Sequence, residues 1–252
     1  MRILITGGAG SLGKSFVKLL EKHDLIVIDN SEWAIAELKS NFPNVKCVLG
    51  DFEQWKYDQD PVDYLIHLAA YKHLPLGEEN PKSFIDNNIN KTWTLFEEAY
   101  KYNVETLFMS TDKAVEPCSL YGYTKAIGES IARHFNFSIA RCGNLLNSSG
   151  SVIPVWEQQI KDKKPLTITD PEMTRYVIEA DEAARQIWDW FYLGDKLIIP
   201  QMDRPVRLID LAETVYKKHK VKPKDQKIQI IGKRPKEKKH ERLRWPDEEP
   251  YV

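Results

Sequence analysis

The sequence predicts an α/β fold in which helices cover both faces of a parallel sheet. Two observations predict it. Short apolar runs rich in Ile, Val and Leu recur over roughly the first 145 residues with helical stretches between most of them, and a glycine-rich turn joins the first run to the first helix. Parallel strands need crossover connections and read as apolar when both faces are buried, which is the pattern seen. The strand-like runs fall at 2–6, 25–29, 45–49, 62–68, 105–110 and 138–141. Beyond them Pro154, Pro165, Pro171, Pro200 and Pro205 punctuate the chain around a helix expected at 179–193, a strand at 196–199 and a helix at 208–219. The chain therefore divides into a dinucleotide-binding body over 1–145 and a small C-terminal substrate-binding lobe over 146–252. The lobe is expected to be partly interleaved with the body and to lie over the carboxyl ends of the strands, where open α/β sheets bind ligands.

Composition narrows the partners. With 252 residues, 42% of them hydrophobic, the chain can bury one substantial core. Lys plus Arg number 36 against 37 for Asp plus Glu, a formal charge of −1, so no global field gathers nucleic acid and a compact organic substrate is favoured. The basic stretch 217–244 is interrupted by acids and carries no stacking aromatics beyond the flanking Tyr216 and Trp245, so it reads as a solvated face around one substrate loop. Cys47, Cys118 and Cys142 are too few and too scattered for a disulfide framework or metal knuckle and read as reduced packing residues. The first strand begins almost at Met1 and no apolar run reaches the ~18 residues of a spanning helix, so neither signal peptide nor membrane anchor is expected and the cytoplasm is the expected location.

The segment Thr6-Gly7-Gly8-Ala9-Gly10-Ser11-Leu12-Gly13 follows the first strand and opens a helical run at 14–22. Gly7, Gly10 and Gly13 let the chain turn, approach a pyrophosphate and pack helix on strand, while N–H groups at Ser11 and Leu12 at the helix start can hold the anion. Strand, loop, helix and a second strand ending in an acid together predict a Rossmann-type, doubly wound sheet binding a dinucleotide. Asp29 closes that second strand 16 residues after Gly13, where a carboxylate accepts hydrogen bonds from an adenosine ribose and repels a 2′-phosphate. NAD is therefore favoured, with NADP as the alternative; the competing reading of Asp29 is a cap for a helix starting near Ser31. Asp51 ends the third strand and either meets the adenine amine or serves a turn.

At the other end of the cleft, Tyr121 and Lys125 lie four apart on an expected helix and so share a face. An ammonium beside a phenol favours the phenolate, so Tyr121 can remove a hydroxyl proton as hydride leaves the same carbon. Thr111, at the end of the preceding strand, can hydrogen-bond the same substrate oxygen.

The glycine loop and the Tyr-Lys pair together resemble the extended short-chain dehydrogenases. More narrowly, five stretches resemble the bacterial UDP-N-acetylglucosamine 4,6-dehydratases: Ala69-Ala70-Tyr71-Lys72-His73-Leu74-Pro75, Ser110-Thr111-Asp112-Lys113-Ala114-Val115, Gly150-Ser151-Val152-Ile153-Pro154, Thr169-Asp170-Pro171-Glu172-Met173-Thr174-Arg175 and Gly232-Lys233-Arg234-Pro235. The resemblance implies that Tyr121 is the base for oxidation at sugar carbon 4, with Lys125 and Thr111 assisting and both Tyr121 and Lys125 also touching the cofactor. It implies that Asp112 and Lys113 remove water across carbons 5 and 6. It also implies that Arg175 contacts the diphosphate or uridine, that Arg234 contacts the phosphates or ribose, and that Lys72, Asn144 and Ser151 line the sugar-nucleotide cleft. His73 reads as a structural group. Tyr121, where many retaining relatives carry Met, tilts the expectation toward inversion at carbon 5. By the same resemblance the partners are a UDP-sugar and further copies of the chain, with no metal. The chain departs from the family in its shortness and at Lys91 and Lys236, where the family usually carries Gly. A 4-epimerase, which shares the oxidation but needs no elimination pair, and a non-catalytic cofactor-sensing module, which usually loses the Tyr and Lys, are the competing readings.

Overall fold

The computed structural model describes all residues except 147, 149, 150, 203 and 249–252; Gly150 of the stretch quoted above lies outside the described residues. The chain begins with strand β1 (Arg2–Thr6), helix α1 (Ser11–Leu19), β2 (Asp24–Asp29), α2 (Glu32–Asn41) and β3 (Lys46–Leu49). Next come β4 (Tyr64–His67), α3 (Leu74–Glu79), α4 (Pro81–Ile85), α5 (Lys91–Lys101), β5 (Glu105–Thr111), α6 (Leu120–His134) and β6 (Ser138–Cys142). The remainder comprises β7 (Asn144–Leu145), α7 (Val152–Lys161), β8 (Leu166–Ile168), β9 (Thr174–Arg175), β10 (Val177–Ile178), α8 (Ala180–Tyr192), β11 (Leu197–Ile198), β12 (Val206–Arg207), α9 (Leu208–Lys218) and β13 (Ile228–Ile230).

Seven strands form one parallel sheet in the order β11-β6-β5-β4-β1-β2-β3. The order reverses between β1 and β4, so the loops leaving their carboxyl ends diverge and open a crevice there, the usual ligand position in doubly wound sheets. Register sets the floor of that crevice: Thr6 stands opposite His67, and Thr111 opposite Cys142. One face of the sheet is sealed by Phe16 and Val17 of α1 with Ala183, Ala184 and Ile187 of α8, the other by Leu95 and Phe96 of α5 with Ile131 and Ala132 of α6.

The tail differs from the sequence expectation in one respect. The helix and strand read at 179–199 do not stand over the strand ends but return to the body: α8 packs on α1, where Asp181 takes Ser15 Oγ and Lys18 Nζ at 2.7 Å each, and β11 adds to the β6 edge with Leu197 opposite Ile139. The alternating apolar face of α8 says that it packs, but not on what. Helix α1 likewise starts at Ser11, three residues before the expected run, because the glycine turn is tighter than its composition reveals.

Helices α7 and α9 with the β8–β13 and β9–β12 pairs make the smaller unit beyond the strand ends. Its own core gathers Ile153, Trp156, Leu166, Ile168, Ala212, Val215 and Tyr216. Trp156 is wholly buried and its indole N–H donates to Thr167 O at 2.7 Å, so the polar edge of the ring is satisfied. From there residues 236–248 run back along the loop between β5 and α6. Cys118 Sγ meets Lys236 O at 3.3 Å, Lys238 Nζ donates to Val115 O at 2.7 Å, and Arg242 pairs with Glu116 at 3.1 Å.

Candidate active site

A single cleft of about 560 Å³ runs along the carboxyl ends of the strands. At one end it is walled by Gly7, Gly10, Ser11, Leu12, Gly13, Asp29 and Asp51, and toward the other by Thr111, Lys113, Tyr121 and Lys125. Lys72, Asn144, Ser151 and Arg234 line it as well. Residues read from separate parts of the sequence thus share one wall.

The glycine end is built for close approach. Gly7 has φ +65°, and a Cβ there would stand 2.7 Å from the Ala69 backbone; a Cβ on Gly13 would stand 2.4 Å from Gly8. Gly10 caps α1 without a side-chain hydrogen bond, and the helix start it opens is the positive end of the helix dipole, which favours an anion. Asp29 is held in place by two backbone donors, Ala9 N–H at 3.2 Å and Ser31 N–H at 3.0 Å. The helix cap is therefore Ser31, whose hydroxyl accepts from Ala34 N–H, while Asp29 fixes the turn and stays on the cleft wall. Asp51 caps a short 3₁₀ turn through Glu53 N–H and is paired with Lys91 of α5. These features fit a dinucleotide: an anion-seeking helix start, a close-packed glycine turn and two strand-end carboxylates.

At the chemical end, α6 begins at Leu120 because Ser119 caps it, its hydroxyl accepting from Gly122 N–H at 3.2 Å. That start puts Tyr121 in the first turn and Lys125 one turn on. Lys125 is buried against Phe108, its ammonium 4.0 Å from the ring centroid, and burial brings its pKa down to about 7 against the opposing charge of Glu129. Tyr121 differs from expectation: burial, then the charge of Asp112, hold its phenol well above the usual value, and only the hydrogen bond with Thr111 pulls the other way. To serve as a base, a phenol held this way would need cationic charge beyond what Lys125 supplies at neutral pH. Cys142, on the same wall, has its thiol pushed up to about 12 by burial and is no nucleophile.

Asp112 and Lys113 form a connected pair. Asp112 has no exposed surface; its Oδ1 accepts from Thr111 Oγ1 and from Lys113 Nζ, each at 2.9 Å, and its Oδ2 has no hydrogen-bond partner among the described residues. A buried carboxylate oxygen left this way is a costly arrangement, and, unlike Thr111 and Lys113, Asp112 is not among the residues that line the cleft, so these two stand between its carboxyl and anything bound there. Lys113 Nζ also donates to Asn144 Oδ1 at 3.2 Å and lies 3.8 Å from Glu241. Ser151 Oγ is another buried atom without a partner among the described residues. Lys72 is exposed at the protein surface yet recessed in the cleft, and that desolvation lowers its ammonium.

The structure does not bring Arg175 to the cleft wall. Its guanidinium is spent on Thr174 O, Lys238 O and Lys239 O at 2.7–3.1 Å and on Glu237 at 3.2 Å, so it holds the segment that follows Arg234. Four contributors escaped the sequence reading. His67 bridges Thr6 Oγ1 at 2.7 Å and Thr92 Oγ1 at 3.1 Å beneath the glycine loop, with burial keeping it neutral. Asn88, in a π-helical turn over Asp86–Asn90, bonds both the N–H and the C=O of Tyr71 and so fixes the loop that carries Lys72. Glu129 and Arg141 make a buried ion pair at 2.7 Å behind Lys125; Ser110 Oγ donates to Glu129 at 2.5 Å, and Arg141 also pairs with Glu248 at 2.6 Å. A π turn inside a helix often marks a functional site, but nothing in residues 86–90 announces it.

Comparison with known proteins places this geometry. A family model described as polysaccharide biosynthesis protein matches residues 3–251. A Methanocaldococcus jannaschii protein named as an uncharacterized membrane protein is 39% identical over 96% of the chain and 79% of its own length. A Campylobacter jejuni UDP-N-acetylglucosamine 4,6-dehydratase (inverting) is 32% identical over 95% of the chain and 76% of its own, and a Rickettsia bellii UDP-glucose 4-epimerase 32% identical over 96% and 76%. The chain spans 44% of the length of two further relatives. Among solved structures, Pen from Bacillus thuringiensis superposes with a TM-score of 0.87 at 29% identity, covering 96% of this chain and 83% of that one. The dTDP-glucose 4,6-dehydratase DesIV of Streptomyces venezuelae, solved with NAD bound, superposes at 0.84 and 21% identity, covering 97% and 88%, and so speaks to the fold. No helix among the described residues is long and apolar enough to cross a membrane.

Proposed function

The chain belongs to the polysaccharide biosynthesis protein family, and from that premise we propose that it is an NAD-dependent nucleotide-sugar 4,6-dehydratase of the extended short-chain dehydrogenase/reductase type, with UDP-N-acetylglucosamine as its substrate. The observation that carries this reading is Lys113, on the cleft wall with Thr111 and Tyr121 and hydrogen-bonded at 2.9 Å to the buried Asp112. An oxidation at carbon 4 alone has no use for a second acid and base. Relatives of both names, dehydratase and epimerase, share this chain's level of identity, so the elimination pair, not similarity, favours the first.

NAD, when bound, supplies a hydride acceptor that also returns the hydride, together with positive charge beside Tyr121. Gly10, Ser11 and Leu12 would hold its pyrophosphate and Asp29 its adenosine ribose. Because the Asp29 carboxylate is fixed by two backbone N–H groups, it cannot swing away from a 2′-phosphate, and titration is expected to show tighter binding of NAD than of NADP. A clear preference for NADP would overturn that assignment.

Tyr121 takes the proton of the 4-hydroxyl, with Thr111 on the same oxygen. The new ketone acidifies the hydrogen on carbon 5; once the proton that Lys113 shares with Asp112 sits on Asp112, the Lys113 amine would take the carbon 5 proton, and the proton of Asp112 would reach the departing 6-hydroxyl through Thr111, which lies on the cleft wall. The same Lys113 would then return its proton to carbon 5. At the end Tyr121 holds one proton more than at the start and the Asp112–Lys113 pair one fewer. Asp112 is sealed from solvent, and Thr111, which donates to it at 2.9 Å and bonds the Tyr121 phenol, stands between the two. Lys72, Asn144, Ser151 and Arg234 would bind the sugar and diphosphate, while Arg175 would act by fixing the loop around Arg234.

Incubation with UDP-N-acetylglucosamine followed by mass spectrometry tests the reading. Loss of one water is expected. An unchanged mass with a changed stereocentre would favour a 4-epimerase, and no product of either kind would favour a binding module.

A further inference from the structure

Lys91 has no place in the chemistry above, yet it reaches the cofactor end of the cleft. It opens α5 immediately after the π-helical turn. Its ammonium pairs with Asp51 and stands 3.8 Å from Glu53; Asp51 is on the cleft wall and Lys91 is not. Both side chains are about three-quarters or more withdrawn from solvent, with exposures of 20% for Lys91 and 26% for Asp51. Charges this sheltered interact more strongly than exposed ones and hold one geometry.

We propose that Lys91 is a specificity-positioning residue: it orients the Asp51 carboxylate so that one oxygen faces the cleft and accepts the exocyclic amine of an adenine ring. The inference rests on the reading that this cleft binds NAD. Three groups define the geometry. Glu53 N–H, at 3.5 Å, holds Asp51 Oδ1 loosely; Lys91 holds Oδ2; and the second lone pairs of both oxygens remain for a donor. An adenine amine is a donor, whereas the 6-keto oxygen of hypoxanthine is an acceptor and would meet the carboxylate with like polarity. Asp51, so held, reads the base by its hydrogen-bonding sense. The hydrogen bond with Asp51 raises the Lys91 ammonium above its usual value, with the charges of Asp51, Glu53 and Asp86 adding to it against a smaller desolvation, so it keeps its proton and its grip on Asp51.

The test compares binding of NAD and nicotinamide hypoxanthine dinucleotide to the purified protein by calorimetry, which reads affinity and not turnover. The wild type is expected to prefer NAD by about tenfold or more, the worth of one hydrogen bond to a charged group. Lys91→Met and the polar Lys91→Gln should reduce the preference to about threefold or less, and Lys91→Arg should restore most of it. A purely structural role would weaken both dinucleotides equally and leave their ratio untouched, which would overturn the proposal. A wild type without preference would overturn it too. Failure of the wild type to bind either dinucleotide would instead overturn the cofactor reading beneath it.

Discussion

Tyr121→Phe is expected to lower turnover by roughly 10²–10⁴-fold, the loss typical of a missing general acid–base group, while NAD binding stays intact. The argument begins with the start of α6. Ser119 ends the preceding loop and caps the helix, so Tyr121 falls in the first turn with its ring on the cleft wall. Removing one oxygen leaves that ring and the cap unchanged, so the fold and the glycine loop across the cleft have no reason to shift. What is lost is the phenol that hydrogen-bonds with Thr111. Burial and the charge of Asp112 hold this phenol upward, so its service as a base depends on the cations around it. Lys125, brought down to about 7, carries its full charge only below neutral pH. As pH rises through 7, Lys125 loses that charge just as deprotonation of Tyr121 becomes easier, and the two effects oppose each other. A pH profile of the wild type should therefore be broad, with the Tyr121→Phe variant low at every pH. Near-normal turnover in a folded Tyr121→Phe protein would remove Tyr121 from the mechanism.

What the sequence made legible is what is local. The glycine turn, the strand-end carboxylates at Asp29 and Asp51 and the Tyr121–Lys125 spacing each depend on residues a few positions apart, and each is on the cleft wall. What it hid depends on distant partners. Arg141 reads as an interruption of an apolar strand, and only the folded chain shows it wholly buried between Glu129 and Glu248, the second of them 107 residues away. Breaking such a pair by removing one charge is strongly destabilising, so this network secures the helix that carries Tyr121 and Lys125 against the returning tail. Arg175 was legible as a guanidinium suited to phosphate, but the carbonyls of Lys238 and Lys239 come from the tail and claim it first. Strand β11 falls within the strand expected at 196–199, but that it joins the large sheet at the β6 edge depends on a partner some 58 residues away. Lys91 read only as a departure from a glycine, since nothing in the sequence shows that it pairs with Asp51, 40 residues away.

Lys113→Ala is expected to uncouple the two halves of the reaction. On the proposed reading, oxidation at carbon 4 uses Tyr121, Thr111 and Lys125, all of which the substitution leaves in place. Elimination requires a base at carbon 5, and on the cleft wall Lys113 is the amine fixed beside a buried carboxylate, at 2.9 Å from Asp112. The variant should therefore reduce NAD in a single turnover and then stall, so that reduced cofactor accumulates and is visible by its near-ultraviolet absorbance, while loss of water measured by mass falls sharply. Steady-state turnover should drop by roughly 10²–10⁴-fold, as for other removed acid–base groups. A 4-epimerase would respond differently: its hydride returns to carbon 4, so the same substitution would leave no stalled reduced state and little change in rate. The substitution also frees Asn144 Oδ1 and one partner of Glu241, so a melting curve is needed beside the kinetics to show that the variant is folded. If folded Lys113→Ala protein dehydrates the substrate at an unchanged rate, Lys113 is a bystander, and the Asp112–Lys113 pair no longer distinguishes this chain from an enzyme that only oxidises and reduces carbon 4.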